Sequence, residues 1–100
     1  STNPFQDILR EIKANVSFTM GVVDGEGKIL ACTDPNMINA KLPSAIDFCQ
    51  AGRQEGEFDG HVFHALQRAD CVGKQAVFAC GTGSIADAIC SVTAVAINNN

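Results

Sequence analysis

The sequence predicts an α+β domain: a central antiparallel β-sheet with the N- and C-terminal helices on one face and a loop-and-helix cap on the other. The expected order is α-β-β-α-β-β-α. Three observations carry this prediction. Apolar residues recur at helical spacing near both ends of the chain, but alternate with period two around residues 16–24 and 61–68. A glycine-rich acidic turn, Asp24-Gly25-Glu26-Gly27, lies between two strand-like runs. With 100 residues, 46% of them hydrophobic, the chain has the material for one domain with a modest core.

The elements follow in order. Asn3 and Pro4 provide an N-cap and a first-turn proline, and Phe5, Ile8, Leu9 and Ile12 form the apolar stripe of a helix ended by Asn15. In 16–24, Val16, Phe18, Met20 and Val22 alternate with Ser17, Thr19, Gly21 and Val23, the pattern of a strand. The acidic turn then returns the chain through Lys-Ile-Leu-Ala-Cys-Thr as the partner strand. Pro35 and Asn36 open a loop, after which a helix is expected with Leu42, Ala45, Ile46 and Cys49 inward and Gly52 as its C-cap. A polar, turn-rich stretch over 53–60 leaves room for a short extra strand from Glu55 to Phe58. His61 onward reads as a strand, Ala69 to Lys74 as a turn, and Gln75 onward as a fourth strand. The closing helix is capped by Ser84, with Asp87 near the positive end of its dipole. Its stripe is Ile85, Ile89, Val92 and Ala96, but Ala88, Val95 and Ile97 make it apolar nearly all round. Such a helix is either central or has a partner.

Composition excludes some roles. The formal charge of −4 and the scattered placement of seven basic residues argue against nucleic-acid binding, which needs clustered Lys and Arg. No apolar run approaches the ~18 residues of a membrane span, so no membrane partner is expected. Charged residues are only 18% of the chain, which suggests that part of its surface is covered. Five cysteines without CxxC spacing indicate neither a disulfide framework nor a zinc knuckle; reduced, mostly buried thiols of a cytoplasmic protein are expected.

The run Met20-Gly-Val-Val-Asp-Gly-Glu-Gly-Lys-Ile-Leu-Ala-Cys-Thr-Asp-Pro35, the element order after it, and the closing helix from Gly83 resemble the GAF and PAS group of small sensory domains. The resemblance is to the compact members attached to bacterial transcription regulators and signalling proteins. It implies that the chain is a piece of a longer regulator, senses a small molecule and dimerises through the final helix. No cofactor is implied. A ligand-free dimerisation or scaffold domain of roadblock or profilin-like type is the alternative.

The site residues follow from the chain's own polar and thiol groups. Cys32, Thr33 and Asp34 stand where the second strand gives way to a loop; Thr33 and Asp34 could hold a ligand or simply satisfy loop backbone donors. His61 and His64, being three apart on a strand, point to opposite faces and cannot share a metal ion, so no metal site is expected from the pair. One of them, with Phe63, Phe78 and Cys80, is expected to complete the wall of a pocket between the sheet and the 34–60 segment, and the other to face a helix or solvent. The Cys-Gly-Thr-Gly-Ser run before the last helix reads as a flexible strand-to-helix turn and, alternatively, as an anion cradle. Glu55, Glu57 and Asp59 read as solvated. No cysteine lies at a helix start beside a basic residue, and no general-acid pair is recognisable, so catalysis is not expected.

Overall fold

The computed structural model describes residues 4–67 and 73–99. Helix α1 (Pro4–Lys13) leads into β1 (Met20–Asp24) and β2 (Ile29–Cys32); a 3-10 turn (Pro35–Met37) and α2 (Pro43–Ala51) follow. The extra strand β3 (Glu55–Phe58) precedes β4 (His61–Ala65), β5 (Gln75–Cys80) and α3 (Ser84–Asn98). The five strands form one antiparallel sheet in the order β2-β1-β5-β4-β3.

The first hairpin forms where the acidic turn predicts it. The Asp24 carboxylate accepts from the backbone N–H groups of Glu26 and Lys28, both at 2.9 Å, and Gly27 takes a φ of 85°. Such a φ suits a residue without a Cβ. In β2, Leu30 is a bulge: Val22 pairs with Ala31 but the next residue, Val23, pairs with Ile29. The extra residue lets Ile29 and Cys32 reach the same face. As an edge strand, β2 would present unpaired backbone groups. The Gln6 side chain closes one end, donating to the Cys32 carbonyl at 2.8 Å and accepting from its N–H at 3.0 Å. At the other end Ile29 exchanges bonds with Asn39 and Ala40.

Each sheet face carries its own core. On one, Met20, Val22, Ala31, Val62, Val77 and Ala79 pack with Leu9 of α1 and with Ala86, Cys90, Ala94 and Ile97 of α3. On the other, Val23, Ile29, Cys32, Phe63, Ala76 and Phe78 pack with Leu42, Ala45 and Phe48. The Phe48 and Phe63 rings stack at 5.1 Å and 13°, and Phe58 meets both edge-on. A Cβ at Gly21 would collide with the Ala31 carbonyl and lie 2.9 Å from the Phe78 ring, so glycine here makes room for the aromatic layer.

The predicted layering is present, with α1 and α3 on one face and α2 with its flanking segment on the other. The space beneath the cap, expected to stay open, is packed with rings. Other expectations are corrected in detail. Residues 16–19 precede β1, which starts at Met20, and α1 ends at Lys13. The buried positions of α2 are Ser44, Ala45 and Phe48, with Leu42 buried just before it, whereas Ile46 and Cys49 are only half-buried. Ser84 does not cap α3: Gly83 takes the cap position at φ 100°, without a side-chain bond. Of the stripe, Ile85, Val92 and Ala96 face outward and Ile89 is half-buried against the core, while Ala86, Cys90, Ala94 and Ile97 sit on the sheet. Gly52 ends α2 in the left-handed conformation as expected, at φ 68°. The Asn3 cap and residues 69–72 of the predicted turn, Cys71 among them, lie outside the described residues.

Phe63→Ala should cost about 3–5 kcal/mol by removing half of the buried stack. Gly21→Ala should cost up to ~3 kcal/mol through overpacking. Urea denaturation followed by circular dichroism measures both, with the m-value expected to stay constant.

Candidate functional site

Strand alternation decides which predicted residues meet. His61, Phe63, Phe78, Cys80 and Cys32 all face α2, and His64 faces α3, so the two histidines do point to opposite faces. Register brings the end of β2, the start of β4 and the end of β5 to one end of the sheet. Gly21 pairs with both Cys32 and Phe78, and His61 bridges Gly81. Cys32, Thr33, Asp34, His61 and Cys80 therefore gather at that end, with Phe63 and Phe78 forming the floor.

Within this group the polar side chains are held by backbone. The His61 Nδ1 donates to the Asp59 carbonyl at 2.8 Å, with the Ser44 hydroxyl 3.4 Å away at the start of α2. That leaves the His61 Nε2 as an acceptor without a partner among the described residues. The His61 ring lies 6.2 Å from Phe63 and 6.5 Å from Phe78. Thr33 is buried, its hydroxyl accepting from the Met20 N–H at 3.1 Å. The Asp34 carboxylate caps the 3-10 turn by accepting from the Asn36 N–H at 3.1 Å. Each thus satisfies a backbone donor, Thr33 at the start of β1 and Asp34 in the loop. They also line a hollow of about 250 Å³ with Lys13 and Phe18. Cys32, Phe63 and Phe78 are fully buried in the aromatic core.

On the opposite face is a group that sequence reasoning missed. The His64 Nε2 lies 2.8 Å from the Asp87 carboxylate of α3 and 3.8 Å from the Glu55 carboxylate of β3. The donor atoms of all three lie within 4.8 Å of one another, a set able to hold a cation. Glu55 sits in a segment that reads as solvated, and it is indeed exposed. Only the Glu55–His64 pairing of β3 with β4 reveals its neighbour.

The described cysteines are free. Burial raises the thiol pKa of each, to about 12 for Cys90, where Asp87 and Cys80 add to the effect. Burial dominates for Cys32 as well. For Cys80 the neighbouring Cys32 adds to it, and for Cys49 nearby Lys74 works against it. A raised pKa keeps the sulfur protonated near neutrality, which does not suit a thiolate nucleophile.

No protein-family model matches the chain, and the searches of curated proteins and of solved structures found no match either.

Brief labelling of native protein with iodoacetamide near pH 7.5 should leave Cys32 and Cys90 unmodified by peptide mass mapping, while denaturant exposes both. Rapid native modification of Cys90 would contradict its burial.

Proposed function

We propose that the chain is a non-catalytic regulatory module, a GAF/PAS-like sensory domain of a bacterial regulator or signalling protein, that works as a homodimer through α3. The observation that carries this reading is the outward face of α3. Ile85, Val92 and Val95 are 71%, 69% and 56% exposed, and Ala88 and Ala96 lie beside them without a charge between. This face continues into a groove of about 590 Å³ against α1, bordered by Ile8, Ile12, Val16 and Ile89 together with Glu11 and Asn15. Isolated exposed apolar residues are ordinary, but a contiguous charge-free stripe of this kind marks an interaction surface. A helix of 15 residues is about 22 Å long. Two such helices with their α1 flanks can approach the ~1,200 Å² of a specific interface.

The ligand end is the group around His61. Its Nε2, the Ser44 hydroxyl and the Cys80 thiol border the buried Phe63 and Phe78 rings, so a small molecule with a hydrogen-bond donor and an apolar body reaches them only where α2 parts from this aromatic layer. β4 and β5 connect the two faces. His61, Phe63, Phe78 and Cys80 face α2, whereas Val62, Val77 and Ala79 of the same strands pack under α3. A ligand that prefers one placement of α2 would bias the sheet on which α3 rests, by no more than its difference in affinity between the two arrangements.

One observation favours a second reading. The stacked Phe48 and Phe63 rings fill the space under α2, as suits a ligand-free dimerisation or scaffold domain of roadblock or profilin-like type.

Size-exclusion chromatography with light scattering should show a dimer for the native chain. Val92→Glu should give a monomer that melts within a few degrees of the parent. A monomeric native chain would overturn the reading. A thermal-shift screen of metabolites separates the two alternatives. A hit that His61→Ala abolishes supports sensing, and uniform silence from a stable dimer supports the scaffold.

A further inference from the structure

We propose that Glu55, His64 and Asp87 form a binding site for a divalent first-row transition ion of the zinc class. Three separate elements, β3, β4 and α3, deliver one ligand atom each to a common point. The mostly buried His64 imidazole aims Nε2 at both carboxylates, at 2.8 and 3.8 Å. Nε2 gives its N–H to Asp87, and the Glu55 carboxylate lies beyond hydrogen-bond length from the same nitrogen. Among the described residues no Lys or Arg forms an ion pair with either carboxylate, in a chain already carrying −4. Two negative groups converging on one nitrogen are left short of positive charge, and a doubly charged cation neutralises the set.

The donor chemistry selects the ion. One imidazole nitrogen with two carboxylate oxygens suits zinc and its neighbours, whereas magnesium and calcium take oxygen ligands. Tetrahedral zinc with bonds of ~2.0–2.2 Å places its ligand atoms about 3.3 Å apart, between the two separations seen around His64. The carboxylate side chains are 62% exposed at Glu55 and 48% at Asp87, so each can adjust by that amount and a water can complete the coordination. On binding, Nε2 becomes the ligand and the imidazole proton resides on Nδ1. The ion would fasten the first turn of α3, which no side chain caps, to the edge of the sheet.

Isothermal titration of the EDTA-treated, reduced full chain with zinc chloride tests the proposal. Cobalt(II) absorption serves as a second readout, because the cysteines are competing ligands. The expected result is one zinc per chain, a cobalt spectrum without sulfur charge transfer, and a rise in melting temperature that magnesium does not reproduce. Affinity should fall at least ~10-fold in E55Q and in D87N, on the scale of losing one metal-positioning group. E55Q changes an exposed side chain on an edge strand, so its fold is expected to survive, and its metal-free melting curve checks this. Absence of zinc binding, a sulfur charge-transfer band, or affinity unchanged in a folded E55Q or H64Q would each overturn the site and leave the three residues as an ion pair joining helix to sheet.

Discussion

Two-sided burial of β5 is the constraint on which the structure depends. Hydrogen-bonded to β1 and β4, this strand sends Ala76 and Phe78 into one core and Val77 and Ala79 into the other. Because side chains on a strand alternate, a slip of one residue would exchange the two sets and disrupt both cores at once. Two packed layers, helices α1 and α3 beneath and α2 above, therefore hold each other in register through a single strand. The crowded contact of Gly21 with the Phe78 ring is a local consequence: a small residue on β1 faces a large one on β5.

The same alternation gives the two sheet faces different side chains. Cys32, His61, Phe63, Phe78 and Cys80 face α2 and its flanking segment, whereas His64 faces α3. His61 and His64 sit three positions apart and belong to different environments, one against aromatic rings and the Ser44 hydroxyl, the other between two carboxylates. Burial raises the pKa of each described thiol, most of all at Cys90. Edge protection is likewise divided. Gln6 and residues 39–40 occupy the outer side of β2, whereas β3 presents Glu55 and Glu57 at the opposite edge, where charge discourages further strand pairing.

Local chemistry made much of the architecture legible. The acidic turn, the hairpin around it, the left-handed Gly52 and the opposite orientations of His61 and His64 all follow from short-range rules, and each is present in the structure. Asp34 before a proline read equally as a loop cap, and it caps the 3-10 turn. The apolar character of α3 is equally plain, but not which side meets the sheet. Ile85, Ile89, Val92 and Ala96 form a regular stripe, yet the sheet takes Ala86, Cys90, Ala94 and Ile97, the first three of them small enough to permit close approach to β4 and β5.

The sequence by itself determined the type and order of the elements, the two-layer arrangement and the apolar nature of the last helix. These are local and periodic properties, fixed by backbone sterics and hydrophobic spacing within a few residues. Tertiary structure alone decided that β3 would bring Glu55 beside His64, that Asp87 would close the trio from α3, and that aromatic rings would occupy the space under α2. Those outcomes depend on strand register and on helices placed by long-range packing, where residues 9, 15 and 23 positions apart meet. No local pattern records such meetings, because the free energy that selects them comes from burying both sheet faces at the same time.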